Sequence, residues 1–319
     1  MSKETEKAIN GLHNFIESHG GAESEEELRE LIDQFMKEYN ASVGMQPELN
    51  EHNAKTSDDW LELAEDADTL SDVLRYADKA IALNPDNLDA RVFKALTENE
   101  LPHDQLEAIN TIVEQATERM KELGFIPDDV GEFWLAHGTR PYMRALQTKF
   151  DIEKSCGMYL HAIKDGEEIL RLNESDNMGI RSSLMALYAL LLKENEAEAL
   201  FHKFSQNGFI ESGLALFMSI LYFRLGKRDQ AEDVLLRLSA SNRDMKKFIQ
   251  SLLKGDMDKH ISRMSDIGYR PNTIEELIVS FDSSPELLTT SGAYFIWADD
   301  VLKHQKPLKI KTKKKNKRR

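Results

Sequence analysis

The chain has 319 residues, of which 41% are hydrophobic and 30% are charged, and its formal net charge is −15. No apolar run approaches the roughly 18 residues of a membrane-spanning helix, so the composition excludes a membrane protein while leaving enough apolar material for a core. The 16 Gly and 8 Pro are few for this length, which favours helices, because strands need more turn residues.

Two amphipathic patterns open the chain. The first spaces apolar residues at helical period from Ala8 to Phe15, and the second follows a capping-box start at Ser24–Glu27. We therefore predict an N-terminal helical pair over residues 1–40. The period stops in residues 41–56, which contain both Gly and Pro, and we predict a linker there.

From Ser57 onwards one helical pattern follows another, joined by short connections. Three alanines, Ala162, Ala197 and Ala231, recur at intervals of about 34 residues, and a glycine stands five positions before the first and the third. A small residue lets two antiparallel helices approach where they cross, and glycine suits the tight turn between them because a positive φ costs it little. The spacing predicts an array of helical pairs over residues 57–302.

The alanine spacing and its glycines resemble the tetratricopeptide repeat. An earlier unit carries Trp60, Ala77 and a terminal Leu83-Asn84-Pro85, which is similar to the usual Trp, Ala and Pro pattern of that repeat. Two features depart from the pattern. Val73 stands where the small alanine belongs, and the 193–197 turn has lost its glycine and is read as one residue short.

The run Phe133–Arg144 is also similar to a group of bacterial tetratricopeptide proteins of undefined activity. The resemblance implies an all-α fold, namely a degenerate tetratricopeptide-like α-solenoid, with an N-terminal helical pair in front and a basic tail behind. It also implies a protein-binding role and names no reaction.

Catalytic and metal-binding patterns are scarce. None of the nine histidines stands in a His-Glu-x-x-His pattern, and neither of the usual glycine-rich phosphate loops occurs. Glu198 and His202, four positions apart, are interpreted as an ordinary helix pair. The lone Cys156 excludes an intramolecular disulfide and is interpreted as a packed or exposed thiol. We predict no enzyme, no cofactor and no metal, with an enzyme centred on residues 131–144 as a remote alternative.

Aromatic and cationic residues concentrate in residues 132–144, where we predict a helix start with Thr139 as its N-cap. In a solenoid the first helices line a concave groove, and their cations are suited to a partner's carboxylates. Internal ion pairs with Asp151, Asp176 or Asp229 are the alternative, which we favour. The residues of this hypothetical partner site are Arg140, Tyr142, Arg144, Lys154, Arg181 and Arg224.

The C-terminal tail, residues 303–319, contains ten of the 41 Lys and Arg and no acid, so it carries +10 and residues 1–302 carry −25. Like charges repel and little apolar surface is available, so we predict disorder. The tail has three interpretations: contact with RNA or DNA phosphates, a nuclear import signal, or a solubilising or self-associating tail that folds against the acidic body. The cations of its proposed site are Lys311, Lys313, Lys314, Lys315, Lys317, Arg318 and Arg319.

Together these patterns favour a non-catalytic protein-interaction scaffold. We expect its groove to bind a peptide or helix of another protein, an inference from architecture rather than from a motif. The alternative is a nucleic-acid- or ribosome-associated factor that uses the tail for nonspecific contacts. With one cysteine and no export signal, the cytoplasm is the expected compartment.

Overall fold

The computed structural model describes residues 8–9, 11–12, 15–16, 18–22, 24–42, 48–205, 211–264, 268–282 and 284–304. Over these ranges the chain is all-α, with seventeen α-helices and no β-strand, which confirms the predicted fold class. No helix within them is both long and apolar enough to cross a membrane. The predicted disorder of the tail concerns residues that lie outside the described ranges from 305 onwards.

The helices follow one another with short connections, and a 3₁₀ turn at His137–Thr139 precedes the seventh. In chain order they are α1 (Glu25–Ser42), α2 (Ser57–Glu65), α3 (Leu70–Leu83), α4 (Leu88–Glu98), α5 (Pro102–Glu122), α6 (Phe125–Asp128), α7 (Arg140–Ser155), α8 (Tyr159–Leu172), α9 (Ile180–Leu190), α10 (Glu194–Phe204), α11 (Ser212–Arg224), α12 (Arg228–Ser241), α13 (Met245–Lys254), α14 (Asp258–Ile261), α15 (Ile274–Asp282), α16 (Pro285–Thr290) and α17 (Gly292–His304).

The chain divides into two compact units, Met1–Met158 and Tyr159–Arg319. Helices α1 to α7 belong to the first unit and α8 to α17 to the second. The division falls inside residues 57–302, which the sequence pattern treats as one array.

Apolar contacts hold the helices of the first unit together. Phe15 lies with its ring centroid 5.6 Å from that of Phe35 on α1. Trp60 on α2 and Ala80 on α3 are buried in one cluster, and the Ser57 hydroxyl donates a hydrogen bond of 2.8 Å to the carbonyl oxygen of Ala80. The small Ala80 side chain therefore allows α2 and α3 to approach closely.

The second half of the predicted linker is anchored. The carboxylate of Glu51 accepts hydrogen bonds from two guanidinium nitrogens of Arg75 at 2.8 and 3.0 Å, and from the Tyr76 hydroxyl at 2.6 Å. The Arg75 hydrogen bonds, followed by that of Tyr76, lower the pKa of Glu51 to about 2. Residues 48–56 are thus fixed to α3, and residues 43–47 of the predicted linker lie outside the described ranges.

The second unit repeats one helical hairpin. Helices α9 and α10 form the first copy, and α11 and α12 form the second. Ala197 and Ala231, which occupy equivalent positions in the two copies, are both fully buried, and so is Ala162 on α8. The turns between paired helices put Leu192 at φ +59° and Gly226 at φ +77°, and these two residues are separated by the same number of positions as the two alanines.

The two turns have the same length and the same hydrogen bonds. The backbone N–H of Lys193 donates to the carbonyl oxygen of Tyr188 at 2.8 Å, and Lys227 donates to Tyr222 at the same distance. The interpretation of the 193–197 turn as one residue short is therefore wrong. Only the residue type changes, because Leu192 adopts the left-handed conformation that a glycine would adopt at lower cost.

The end of the second unit is closed by aromatic packing rather than by another hairpin copy. Rings of α15 and α17 contact rings of α11, and Phe248 of α13 packs against the rings of α15 and α17. The Tyr294 hydroxyl on α17 donates a 2.9 Å hydrogen bond to the Ser219 hydroxyl on α11. The buried phenylalanines of this core are Phe217, Phe248, Phe281 and Phe295.

Candidate functional site

The aromatic and cationic run from Phe133 to Arg144 is used mainly for packing. Phe133 and Tyr142 are buried, with their ring centroids 6.1 Å apart. The Thr139 hydroxyl donates to the carbonyl oxygens of Phe133 and, at 2.8 Å, of Ala136. Thr139 thus occupies the predicted N-cap position of α7, but its hydroxyl is engaged by the preceding turn and makes no capping hydrogen bond.

Two of the predicted site cations lie at the start of α7, and both have partners within the first unit. Arg140 is buried, donates from Nε to the carbonyl oxygen of Trp134 at 2.8 Å, and lies 5.4 Å from the Trp134 ring centroid. Arg144 donates to both carboxylate oxygens of Asp89 on α4, at 2.8 and 2.6 Å. The Arg144–Asp89 contact has the bidentate geometry that the hypothesis reserved for a partner's carboxylate.

Two more of these cations form internal ion pairs. The Lys154 ammonium lies 3.9 Å from the Asp151 carboxylate, one turn earlier on α7. Arg181 at the start of α9 bonds Asp176 and Glu211, with both nitrogen–oxygen distances at 2.8 Å. Internal pairing with Asp151 and Asp176 was the favoured alternative, and these distances support it.

The last of the six, Arg224, donates a 3.1 Å hydrogen bond to the carbonyl oxygen of Ala189, and burial lowers the pKa of its guanidinium. Tyr142 shares a 2.9 Å hydrogen bond with the hydroxyl of Thr117. All six residues thus have an intramolecular partner. Their role in binding another molecule stays a prediction, and the proposed tail site lies outside the described residues.

The described ranges contain no group of three or more His, Cys, Asp and Glu that could hold a metal ion. Cys156 is an exposed free thiol. Glu198, paired with His202 in the sequence, accepts a 2.7 Å hydrogen bond from the Tyr222 hydroxyl instead. The absence of catalysis and of a cofactor stays a prediction.

A groove in the second unit brings together side chains from three helices. It lies between α10 and α12, with α11 as its floor, and has a volume of about 440 Å³. Volumes in this range accept a few side chains rather than a whole domain surface. Its apolar lining is Phe201, Met218, Tyr222 and Val234, and its polar lining is Glu198, His202, Asp229, Gln230, Asp233 and Arg237.

The charged groups of this groove are predominantly acidic. The guanidinium of Arg237 lies 2.7 Å from the carboxylate of Asp233, while Asp229 has no ion pair with any described residue. Glu198 is held by the Tyr222 hydroxyl, and burial together with that hydrogen bond raises the pKa of Tyr222. Three carboxylates against one guanidinium leave the groove with an excess of negative charge.

The sequence contains one signal for this groove. Tyr188 and Tyr222 recur at the same spacing as the repeat alanines, and each donates its hydroxyl to a glutamate on the helix that precedes it. The Tyr188 hydroxyl reaches Glu167 on α8 at 2.8 Å, as Tyr222 reaches Glu198 on α10. The Tyr222 pair spans the floor and one wall of the groove.

No protein-family model matches this chain, and no curated protein matches it at a significant level. The resemblance to the tetratricopeptide repeat therefore depends on the residues quoted above and stays a hypothesis. Fold and site define an all-α protein with a helical hairpin present in two equivalent copies and an acidic groove beside the second of them.

Proposed function

We propose that this protein is a non-catalytic interaction scaffold and that its binding surface is the groove between α10 and α12. The observation that carries the proposal is the combination of an apolar floor with an acidic rim in one concave site. Concave apolar sites with a few polar groups are the usual form of a binding site. The partner that fits is a protein segment with two or three apolar side chains flanked by Lys or Arg.

The proposed partner is basic, whereas the sequence-based hypothesis has an acidic partner bound by cations of the chain. Arg144 and Arg181 already bond carboxylates of their own chain, so an incoming acidic segment has to displace them. At the groove an incoming cation meets Asp229, which has no ion pair with any described residue. Because the acids are near the surface, we expect them to set specificity and salt dependence, and the apolar floor to supply most of the affinity.

The test uses a fluorescein-labelled synthetic peptide, Lys-Leu-Lys-Ile-Lys-Ser-Lys-Lys, titrated with the full chain in a fluorescence anisotropy assay. We expect a Kd of about 10–100 μM, as for a short segment with few buried side chains. Two matched peptides separate the contributions: one replaces Leu and Ile by Ser, and the other replaces every Lys by Glu. Both are expected to bind at least about tenfold more weakly.

A pair of charge-reversal variants locates the site. Asp229→Lys with Asp233→Lys reverses two groove acids, and we expect at least about tenfold weaker peptide binding. Glu114→Lys with Glu232→Lys makes the same change in net charge at exposed positions outside the groove, and we expect less than about a twofold change. Equal loss in both variants would point to nonspecific attraction, and no loss in either would place binding elsewhere.

We further propose a cytoplasmic location, which is supported by the presence of a single cysteine. The nucleic-acid alternative depends on the tail, whose ten Lys and Arg have no interleaved aromatic residue for base stacking. The remote enzyme alternative at residues 131–144 has less support, because Thr139 and Arg140 are engaged by backbone carbonyls.

A further inference from the structure

The most strongly charged part of the chain follows directly on a helix that packs beside an acidic site. We propose that the basic segment 305–319 is an internal ligand of the groove between α10 and α12 and competes there with the partner segment. This inference rests on the proposed function, because it requires the groove to be a binding surface. It adds an autoinhibitory element to that function.

The tail contains the kind of segment proposed for the groove's partner, namely apolar side chains flanked by Lys or Arg. Leu308 and Ile310 are two positions apart and are flanked by Lys306, Lys309 and Lys311. In an extended segment, residues two apart lie on the same face and the intervening ones on the other. The two apolar side chains would therefore face the floor of the groove while the lysines meet its carboxylates.

Helix α17 packs against α12, which forms one wall of the groove. The guanidinium of Arg228, which directly precedes the groove residue Asp229, lies 5.8 Å from the ring centroid of Trp297 on α17. His304, the last described residue, follows seven positions later, or about 10 Å along the helix. From there an extended chain allows Ile310 to lie up to about 20 Å away.

Tethering makes even a weak contact effective. A short flexible linker gives an effective concentration on the order of 1 mM. With a tail–groove Kd of about 100 μM, the tail would occupy the groove about nine-tenths of the time. The apparent affinity of the groove for an external peptide would then be about tenfold weaker. The full chain is therefore expected to bind its partner below the intrinsic affinity of the groove.

The first test compares full-length variants in the anisotropy assay with the Lys-Leu-Lys-Ile-Lys-Ser-Lys-Lys peptide. Leu308→Ser with Ile310→Ser removes the apolar anchors and keeps every cation of the tail, and we expect about tenfold tighter peptide binding. The matched control, Thr312→Ala with Asn316→Ala, is expected to bind as the unaltered chain does.

The outcomes of this comparison are distinct. Equal affinity in the unaltered chain and in Leu308→Ser/Ile310→Ser overturns the internal ligand and leaves the proposed function intact. If neither variant nor the unaltered chain binds the peptide, the proposed function fails, and the inference fails with it.

The second test observes the contact directly. Met218 lies on the groove floor, and its methyl signal is visible by NMR in a sample labelled at methionine methyl groups. A spin label on Thr312→Cys, with the exposed native thiol removed by Cys156→Ser, should broaden the Met218 signal. Excess unlabelled peptide should restore it. An unaffected Met218, or equal broadening of all twelve methionines, overturns the proposal.

If the tail binds nucleic acid instead, the expected experimental results are different. Single-stranded RNA would then bind the chain with an affinity that falls steeply with salt and that is unchanged by Leu308→Ser/Ile310→Ser. Together with an unaffected Met218 signal, that result would overturn the internal ligand and favour the nucleic-acid alternative.

Discussion

Two copies of one hairpin, α9–α10 and α11–α12, lie side by side in the second unit and differ in informative places. They share a fully buried alanine, a left-handed turn residue, and a tyrosine bonded to the preceding helix. These shared positions determine how close the helices come and where each turn ends. These residues therefore recur because the backbone of each hairpin requires them.

The copies differ where they face solvent. Asp229 and Asp233 of the second copy correspond to Asn195 and Ala199 at the equivalent positions of the first. The two acids of the second copy line the groove. The positions that determine the fold thus repeat, while two of the three groove carboxylates, Asp229 and Asp233, occur in the second copy alone.

The largest effect is expected at the shared alanines. Ala197 and Ala231 have no exposed surface, so a leucine at either position has no space and should lower the free energy of unfolding by about 2–3 kcal/mol. Urea denaturation measures the change. Ala240→Leu, at an exposed position on α12, is the control and should change stability little. A small effect at only one of the two alanines would show that the copies are not equivalent.

The turn residues should give opposite signs. Gly226→Ala puts a side chain at φ +77° and should cost about 1 kcal/mol, whereas Leu192→Gly relieves a strained φ of +59°. The relief is partly offset by the greater freedom of glycine in the unfolded chain, so we expect a gain of about 0.5 kcal/mol. Leu192→Asn, which tolerates this conformation, should also stabilise. Destabilisation by both Leu192 substitutions would show that the leucine side chain contributes packing that outweighs its backbone cost.

Much of this hairpin could be predicted from sequence, and the reasons are local. The buried alanines and Gly226 were recognised because each position is constrained by contacts of its own backbone. The 193–197 turn was predicted to be one residue short because Leu192, a leucine in a left-handed conformation, gives no sequence signal. The groove was missed for a different reason: it arises from the separation of α10 and α12, and helical periodicity carries no information about the space between two helices.

The cations of the predicted partner site also show which contacts sequence can and cannot predict. Of the three predicted internal partners, Asp151 and Asp176 lie three and five positions from Lys154 and Arg181 and pair with them. The third, Asp229, has no ion pair with any described residue. The pairing of Arg144 with Asp89, which lies far away in the sequence, depends on how α7 meets α4. Sequence alone could not distinguish such a cation from one available to a partner.

The hydroxyl groups of Tyr188 and Tyr222 separate shared architecture from the candidate site most directly. Tyr188→Phe and Tyr222→Phe each delete one hydroxyl–carboxylate hydrogen bond, and each should lower the free energy of unfolding by about 1 kcal/mol. Burial, followed by the bonded glutamate, raises the pKa of both tyrosines, so their contribution is complete below the ordinary pKa of 10.0 and is lost as the pH rises through the raised value. Each phenylalanine variant should therefore lose less stability than the unaltered chain above pH 10, as urea denaturation across that range would show.

The two tyrosine variants should differ in the peptide assay. Only Tyr222 lines the groove, and its hydroxyl holds Glu198 against the floor. Tyr222→Phe frees that carboxylate and should change the peptide Kd by about two- to threefold, whereas Tyr188→Phe should leave it unchanged. Equal changes in both variants would mean that peptide binding follows the stability of the hairpins. A change confined to Tyr222→Phe ties binding to the groove that Tyr222 lines, since every other consequence of losing the hydroxyl is shared by both hairpins.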